Sequence, residues 1–328
     1  MYKTCLVCEA KVKEMDYLEV YVSDFNNQEY KLYECSQCKV QWWEPLKMIP
    51  EFYEKEGLEE YTLFHIGIRK LPIWCQPFFK YFPRDKKGYL LDIGCGDGIF
   101  LYHASLSGFK VYGIDIDQKS IKIAKEKRDI ANVFNMSLEE FIEREKLVFD
   151  VITFFEVLEH QDKPKHFLNT VWKLLRPGGL IAGSVPNRDS YFMIESRKFS
   201  KGDFPPHHFL RFSKEALYNT LQSVGFKDIE IYELDYPFNQ LIPFIEKKLF
   251  GNLDNLKQKL KAMSSPEKEE IKYMPVEDIE KVSDNKLYPL FLKTLKMCRN
   301  IVLLPFTIFY LRKLKGNGLS LYFQARKS

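Results

Sequence analysis

The sequence contains no uninterrupted run of 18 apolar residues, about the shortest length for a helix that crosses a bilayer. The first residues, MYKTCLVCEAK, also lack the apolar core of a secretory signal. The net charge is only +4, which is too small to require nucleic acid or an anionic surface as a partner. These absences predict a globular protein of the cytoplasm, in agreement with 45% hydrophobic and 29% charged residues.

Glycine is scarce, with 16 residues in all, yet three glycines stand at every second position of LLDIGCGDGIF, residues 90–100. Gly94, Gly96 and Gly98 predict a backbone that turns sharply and lets a ligand lie against it. An apolar run before them predicts a strand, and the pattern after them predicts a helix. The glycines therefore lie in a strand-to-helix turn, which is where α/β sheets bind nucleotides.

The spacing of these glycines differs from that of a dinucleotide site, because Ile99 stands where the dinucleotide fingerprint requires its third glycine. A second predicted strand, VYGIDID, ends at Asp115, at the distance from Gly94 at which an acid reaches ribose hydroxyls. Together the two motifs resemble those of the class I S-adenosylmethionine (SAM) methyltransferases. The resemblance implies an α/β fold, with a Rossmann-like seven-stranded sheet and a SAM cofactor.

Further segments resemble the same family, in order, over residues 86–235. FNMSLEEF follows the third strand, FDVITFFEVLEH supplies the fourth, and HFLNTVWKLLRPGGLIAGSVPN supplies a helix, a turn and the fifth strand. For Ser137 a second interpretation is open, because Ser137 and Glu140 also fit a helix-capping box. The resemblance implies cofactor contacts from Asp92, Gly94, Cys95, Gly96, Gly98, Asp115, Ile116, Ser137, Leu138, Phe154 and Phe155.

Four of the seven cysteines form two C-x-x-C pairs, Cys5/Cys8 and Cys35/Cys38. In a reducing compartment, two such pairs at the ends of short hairpins supply four thiolates to one tetrahedral Zn²⁺. A segment this small would scarcely fold without the metal. Disulfides, coincidental cysteines and a rubredoxin-like iron site are the alternatives. Four protein ligands leave no open coordination position, so the zinc is predicted to be structural.

The order of these features predicts five parts of the chain. They are a small N-terminal zinc ribbon at 1–45, a helical linker at 46–85, the SAM-binding domain at 86–236, a helical insertion between strands six and seven at 237–317, and the final strand at 318–328. A ribbon leading into a SAM domain resembles bacterial methyltransferases that modify sugars, glycans and secondary metabolites. That group usually has glycine where this chain has Lys39.

One segment of the predicted insertion, Ile301 to Leu311, is apolar except for Thr307 and is flanked by basic residues. Two interpretations are open for it. The segment either lies peripherally at the inner face of a membrane or binds a lipid-linked acceptor, or it packs on the SAM domain as a lid or a dimer surface. The sequence does not predict the oligomeric state.

Catalysis requires the protein to align the acceptor with the methyl group of SAM and to supply a base where the acceptor is protonated. The candidate catalytic residues are Glu156, Glu159, His160, His207 and His208. His160 is the first choice as base, because imidazole accepts a proton at neutral pH. In a plainer interpretation these side chains cap a helix or bond to the loop backbone.

The pattern E-x-x-E-H with a downstream histidine also resembles the metal site of the small-RNA 2′-O-methyltransferases and a pattern in ubiquinone-type O-methyltransferases. That resemblance implies that Glu156, Glu159, His160 and either His207 or His208 hold one divalent ion, such as Mg²⁺, which acidifies the acceptor hydroxyl.

The predicted function is methyl transfer to a hydroxyl of a small molecule or glycan precursor. One form of this hypothesis has a lipid-linked acceptor. The rival functions are an RNA or protein methyltransferase that recognises its target through the ribbon, and a non-catalytic SAM-binding scaffold. Residues 1–45 contain five lysines and several acids but no basic stripe, which disfavours nucleic acid. Trp42 and Trp43 are predicted to form the ribbon's packing seam rather than to stack on bases. The intact glycine turn disfavours a scaffold.

Overall fold

The computed structural model describes residues 2–47, 49, 70–198, 201–235, 241–242, 244–245, 299–310, 312 and 318–328. The chain divides into two compact units. The first comprises Met1–Asp235 and Gly316–Ser328, and the second comprises Tyr236–Lys315.

The secondary structure alternates between strands and helices after a strand-rich N-terminus. The strands are β1 (Tyr2–Thr4), β2 (Lys11–Lys13), β3 (Glu19–Val22), β4 (Glu29–Glu34), β5 (Gln41–Glu44), β6 (Gly88–Ile93), β7 (Phe109–Asp115), β8 (Val133–Asn135), β9 (Phe149–Phe155), β10 (Leu175–Pro186), β11 (Leu210–Arg211), β12 (Lys227–Leu234) and β13 (Ser320–Arg326). The helices of the first unit are α1 (Gln76–Tyr81), α2 (Ile99–Leu106), α3 (Gln118–Arg128), α4 (Leu138–Arg144), α5 (Pro164–Leu174), α6 (Tyr191–Ser196) and α7 (Lys214–Val224), and a 3₁₀ turn covers Leu158–His160.

A seven-stranded sheet with the order β12-β13-β10-β9-β6-β7-β8 forms the centre of the first unit. Strands β6 to β10 are parallel to their neighbours, whereas β13 runs antiparallel between β10 and β12. This order, with one reversed strand next to the edge, is the topology of the class I methyltransferases and confirms the predicted fold. The final strand, predicted within residues 318–328, is β13.

The ends of the helices follow from local sequence. Ser213 caps the start of α7, since its hydroxyl accepts from the Ala216 amide, and Gly225 ends α7 with a φ of 105°. Ser137 caps α4 in a complete capping box with Glu140. The Arg-Pro-Gly-Gly turn that was predicted before the fifth strand is instead an irregularity within β10, where the register shifts between Leu175 and Leu180.

The four-stranded sheet of the N-terminal region has the order β11-β5-β4-β3. Its fourth strand, β11, belongs to the segment between α6 and α7, with Leu210 paired to Trp42. Trp42 and Trp43 are fully buried, which confirms that they form a packing seam. The sheet therefore includes residues from outside the ribbon predicted at residues 1–45.

In the second unit, residues 299–310 are helical. Leu303, Thr307 and Tyr310 are buried in this helix. The apolar side chains that are 43–63% exposed are Ile301, Val302, Leu304, Phe306, Ile308 and Phe309. Within the described ranges, no helix has the length and apolar character needed to cross a membrane. Most of the helical insertion predicted at 237–317 lies outside the described residues, as does most of the linker predicted at 46–85.

Candidate functional site

The glycine turn after β6 adopts backbone conformations that favour glycine. Gly94, Gly96 and Gly98 have φ values of 74°, 52° and 73°. A Cβ on Gly98 would lie 2.9 Å from the Cβ of Ala124 in α3, and a Cβ on Gly94 would lie 2.6 Å from Val157 Cγ2. The turn is therefore pressed against α3 on one side and against the loop after β9 on the other.

Asp115 binds this turn from the end of the neighbouring strand β7. Its Oδ2 accepts from the Gly96 amide at 2.8 Å, and its Oδ1 accepts from the Asp117 amide at 2.8 Å. Burial raises the pKa of Asp115 to about 6, although these amide bonds act in the opposite direction. Asp92 is 3% exposed and accepts from the Thr153 hydroxyl at 2.7 Å, and burial raises its pKa to about 8.

The other residues predicted to contact the cofactor fall into two groups. Ile116 stands beside Asp115 and is 51% exposed, so an apolar side chain is open at this edge of the sheet. The remainder are buried, namely Leu138, Cys95, Phe154 and Phe155. Burial raises the pKa of Cys95 well above its usual value. Phe154 packs edge-on against Phe167, and Phe155 packs against Phe100. Ser137 is occupied as a helix cap.

One feature of the turn was not predicted from the sequence. Asp97, between Gly96 and Gly98, is fully buried and accepts from the Arg128 guanidinium at 2.7 Å. The same guanidinium donates to the Asp97 carbonyl at 2.7 Å. The contacts between Arg128 and Asp97 therefore connect the end of α3 to the glycine turn. The acid inside the Gly-x-Gly-x-Gly segment was the signal available in the sequence.

The loop after β9 begins with a constrained residue. Glu156 has a φ of 54°, which is unusual for a residue other than glycine, and its amide donates to the Ser184 carbonyl at 2.9 Å. Such conformations concentrate at functional sites, where the surrounding structure holds them. The 3₁₀ turn that follows carries Glu159 and His160.

Three of the predicted catalytic residues form a compact cluster, which we call the histidine cluster: His160, His207 and His208. A ring nitrogen of each lies within 4.8 Å of a ring nitrogen of the other two. The rings of His207 and His208 stack with their centroids 4.3 Å apart, and the ring of His160 meets both edge-on. The structure thus brings His160 next to a pair of adjacent histidines that lie 47 and 48 positions further along the sequence.

Hydrogen bonds fix the same tautomer in all three rings. The Nδ1 atom of His160 lies 2.6 Å from the His207 carbonyl, and that of His207 lies 2.8 Å from the Gly202 carbonyl. The Nδ1 atom of His208 lies 3.1 Å from a carboxylate oxygen of Asp203. Because these oxygens only accept, each Nδ1 carries a proton.

Glu159 is the acidic member of the site. Its side chain is fully buried, and neither carboxylate oxygen has a hydrogen-bond partner among the described residues. Glu159 Oε1 lies 4.0 Å from His160 Nε2. Burial, together with the charge of Glu156, raises the pKa of Glu159 well above its usual value. A buried carboxyl group without a partner is costly, so this position is suited to a cation or a proton donor.

Two of the histidines, His160 and His207, are held neutral. Burial, followed by the charges of His208 and His207, lowers the pKa of His160 well below its usual value. Burial likewise lowers the pKa of His207 to about 3. Asp203, in contrast, is held ionised. Burial by itself would raise its pKa, but the hydrogen bond to His208 and the charges of Arg211 and Arg197 together lower it. The cluster therefore contains two neutral imidazoles, His160 and His207, and His208 bonds to the ionised carboxylate of Asp203.

The four cysteines of the two C-x-x-C pairs form a second cluster. Their sulfur atoms all lie within 4.8 Å of one another, and the closest pairs, Cys5 with Cys38 and Cys8 with Cys35, are 3.4 Å apart. Thiolates bound to one tetrahedral Zn²⁺ at about 2.3 Å are separated by about 3.8 Å, so the cluster fits this ion. A hydrogen bond from the Cys38 thiol lowers the pKa of Cys5 to about 5, which favours a thiolate.

The two cysteine turns repeat the same backbone hydrogen bonds. The amides of Glu9 and Lys39 donate to the carbonyls of Cys5 and Cys35 at 3.1 and 3.0 Å. Both residues have left-handed conformations, with φ values of 63° and 64°. The second turn is bound to the SAM-type domain, since Arg188 donates to the Lys39 carbonyl at 2.5 Å.

The sheet order, the glycine turn with its acid on the next strand, and the polar loop after β9 define a class I methyltransferase. The family model described as a methyltransferase domain matches residues 68–231, which is half of the 328-residue chain. The chain therefore belongs to this methyltransferase family.

Curated relatives include three proteins named ubiquinone biosynthesis O-methyltransferase. That of Acinetobacter baylyi is 29% identical over 160 residues, covering 45% of this chain and 66% of the relative. That of Maricaulis maris is 30% identical over 160 residues, covering 47% and 60%. That of Aromatoleum aromaticum is 35% identical over 104 residues, covering 30% and 44%. The matches thus span from 44% to 66% of the length of these relatives.

Solved structures with a similar fold include a SAM-dependent methyltransferase from Archaeoglobus fulgidus, with 19% identity, coverage of 77% of this chain and 92% of that chain, and a TM-score of 0.45. Phosphoethanolamine N-methyltransferase 2 from Haemonchus contortus has 13% identity, coverage of 94% and 71%, and a TM-score of 0.48.

Proposed function

We propose that this protein transfers the methyl group of SAM to a hydroxyl of a small molecule or glycan precursor. The observation that carries the proposal is the contact between Gly94 and Val157, which places the loop bearing Glu159 and His160 directly beside the glycine turn. A polar, water-poor cluster next to a cofactor turn is suited to receiving an acceptor proton. The relatives named O-methyltransferase agree with a hydroxyl acceptor.

In this proposal the cofactor binds along the carboxyl edge of β6 and β7. Asp115 accepts from the ribose hydroxyls, and the backbone of Gly94 to Gly98 lies against the amino acid part of SAM. Ile116 covers one face of the adenine with its exposed side chain. The remaining predicted contacts, including those of Phe154 and Phe155, stay predictions.

His160 then acts on the acceptor. Its Nδ1 proton is held by the His207 carbonyl, so Nε2 is the atom that accepts the hydroxyl proton. When bound, SAM would supply the methyl group: the new O–C bond would form as the S–C bond breaks, and S-adenosylhomocysteine would be the leaving group. The lowered pKa of His160 keeps it unprotonated throughout the neutral range but also makes it a weak base.

A divalent ion in the same place is the second mechanistic candidate, and two observations favour it. Histidines that bind metals donate the other ring nitrogen to a carbonyl or carboxylate, as all three do here. Glu159 adds a buried carboxylate without a hydrogen-bond partner among the described residues. When bound, such an ion would lower the pKa of the acceptor hydroxyl. The imidazole-rich set of ligands favours a transition-metal ion over Mg²⁺, which prefers oxygen ligands.

Two further parts of the proposal concern the rest of the chain. The four cysteines hold a structural Zn²⁺, and the exposed apolar side chains of the helix at 299–310 meet a membrane surface that presents a lipid-linked acceptor. Flotation with anionic liposomes tests the second point. A Phe306→Ser, Ile308→Ser variant that floats as well as the wild type would contradict it.

The experiment that tests the proposed function uses SAM with a labelled methyl group. The protein is incubated with cell extract, which is then separated into lipid, glycan, RNA, protein and small-molecule fractions. We expect label in an ether linkage in the small-molecule, glycan or lipid fraction, and none with a Gly96→Val variant. Label that appears only in RNA or protein would favour the rival function, in which the ribbon recognises those targets. The absence of label in every fraction would contradict the proposed methyltransferase activity.

A further inference from the structure

Asp203 lies in the segment between α6 and α7, outside the set of residues predicted to act on the acceptor. Its side chain is 6% exposed and its Oδ1 accepts from His208 Nδ1 at 3.1 Å. Its Oδ2 lies 2.5 Å from Arg197 Nε and 3.1 Å from Arg211 Nε. A carboxylate between two guanidinium groups is held in its ionised form and in one orientation, so it remains an acceptor for His208.

Arg211 connects this carboxylate to the N-terminal sheet. It belongs to β11, which pairs with β5, and its side chain is 3% exposed. Its guanidinium lies 5.0 Å from the ring centre of Trp43 and 4.9 Å from that of Phe204. It also donates to Glu19 on β3 at 3.2 Å. The N-terminal sheet therefore encloses the cation that faces Asp203.

A second connection runs through the backbone. The Trp43 amide donates to the Phe209 carbonyl at 2.9 Å, and the Phe209 amide donates to the Glu159 carbonyl at 3.0 Å. Two successive hydrogen bonds thus join β5 to the turn that carries Glu159 and His160. Movement of β5 would displace both Glu159 and the strand that bears Arg211.

From these contacts we infer that Asp203 is a positioning residue for His208, and that the N-terminal sheet holds Asp203 in place through Arg211. Asp203 keeps the proton of His208 on Nδ1, so that Nε2 presents its lone pair to the cluster. The role of the ribbon is then to hold the histidine cluster in place rather than to recognise the acceptor. This inference rests on the proposed function, in which the histidine cluster acts on the acceptor.

The test combines ring ¹H–¹⁵N spectra of histidine-labelled protein with steady-state kinetics. The chain has only six histidines, so single substitutions suffice to assign their signals. We expect the wild-type His208 ring to carry a proton on Nδ1, where it is hydrogen-bonded to Asp203. In Asp203→Asn the amide group can also donate, so we expect the Nε2–H tautomer to appear. We expect kcat to fall about 10- to 100-fold while the Kd for SAM stays within twofold of the wild type.

Two further variants complete the design. Asp228→Asn is the matched control, because Asp228 is exposed and pairs with Arg326 at the far edge of the sheet. It should leave the spectrum and kcat unchanged. Glu19→Gln loosens Arg211 at a partly exposed residue, so it leaves the fold intact even if Asp203→Asn fails to fold. It should shift part of the His208 signal toward the Nε2–H tautomer and lower kcat a few-fold.

Each outcome decides a separate statement. A wild-type His208 ring in the Nε2–H form, or an Asp203→Asn protein with normal kcat, would overturn the positioning role of Asp203. An unchanged spectrum and kcat in Glu19→Gln would overturn the role of the N-terminal sheet. If the wild type methylates nothing, the proposed function fails, but the His208 spectra of the same proteins still test the role of Asp203.

Discussion

The Gly96 amide donates to Asp115 Oδ2 at 2.8 Å, so the turn after β6 and the acid at the end of β7 form one unit. The glycine turn and Asp115, which are separate motifs in the sequence, are thereby joined by a hydrogen bond within the protein itself. Because the second oxygen of Asp115 is held by the Asp117 amide, the carboxylate has a fixed orientation toward the open edge of the sheet. Such pre-organisation lowers the entropic cost of binding.

We expect Asp115→Ala and Gly96→Val to weaken SAM binding about 10- to 100-fold, as judged from the loss of charge-assisted hydrogen bonds. Valine at position 96 would block the approach of the ligand and would also be strained at a φ of 52°. Isothermal titration calorimetry measures the affinity. Melting curves verify that both variants remain folded, and Lys214→Ala, remote from the turn, serves as the control. Wild-type affinity in both variants would contradict the assignment of this turn to SAM.

Zinc analysis tests the cysteine cluster. We expect one Zn²⁺ per chain in the freshly purified protein and none in Cys35→Ser, since three thiolates bind the ion much more weakly than four. The sequence alone predicts unfolding mainly of residues 1–45. Because β11 pairs with β5, we now expect the loss of protection to extend to residues 203–211.

Hydrogen exchange read by mass spectrometry locates that loss. Cys75→Ser is the control, because Cys75 lies outside the cluster and its replacement should leave the zinc content unchanged. Less than about half an equivalent of zinc in the wild type would argue against a zinc site. Exchange confined to residues 1–45 in Cys35→Ser would show that the site does not depend on the ribbon.

The fold was more predictable from sequence than the site. Glycines at positions that require φ values favouring glycine, and apolar runs of strand length, are local signals, so β6, the turn and α2 could be predicted together. The pairing of β11 with β5 depends on contacts between residues about 170 positions apart, and only two residues form the strand. No local periodicity marks so short a strand. Asp203 has its partners Arg197, His208 and Arg211 within eight positions of it, but the contacts that Arg211 makes with Trp43 and Glu19 depend on residues far away in the sequence.

Lys39 offers a test of backbone strain in the second cysteine turn. At a φ of 64° a side chain costs about 1 to 2 kcal/mol, whereas glycine loses more freedom on folding. We therefore expect Lys39→Gly to raise the free energy of unfolding by about 0.5 to 1 kcal/mol, as measured by urea denaturation. Lys39→Ala keeps the Cβ and should give no such increase. Equal effects of the two substitutions would show that the backbone conformation is not the cause.

The neutral histidines predict loss of stability in acid. The pKa of His207 is lowered to about 3, whereas in the unfolded chain it returns to about 6.5. Between these pH values the unfolded chain binds a proton that the folded chain does not, so the free energy of unfolding falls as the pH drops from about 6.5 toward 3. We expect this fall to be less steep in His207→Gln. Urea denaturation at several pH values measures both slopes, and parallel curves would contradict the burial of a neutral ring.

The two mechanistic candidates differ in what they require of Glu159. If His160 alone accepts the proton, His160→Ala should lower kcat by roughly 10²- to 10⁴-fold with little change in SAM affinity, and chelators should have little effect. Glu159→Gln should then cost much less, because the carboxylate has no essential role in that mechanism. If the cluster holds a divalent ion, both substitutions should cause similar losses, since each removes a ligand.

Metal restoration separates the two candidates further. The chelator must be too weak to remove an ion held by four thiolates, and retention of zinc by the cysteine cluster is the control for this condition. In the metal-dependent case, activity lost on chelation returns with Mn²⁺, Fe²⁺ or Zn²⁺ more readily than with Mg²⁺, because three of the ligands are imidazoles. In the metal-free case, chelation and added ions leave the rate unchanged. Full activity in both His160→Ala and the double variant His207→Ala, His208→Ala would refute both candidates. The acceptor would then be one that needs no deprotonation, or the base would come from residues 188–206.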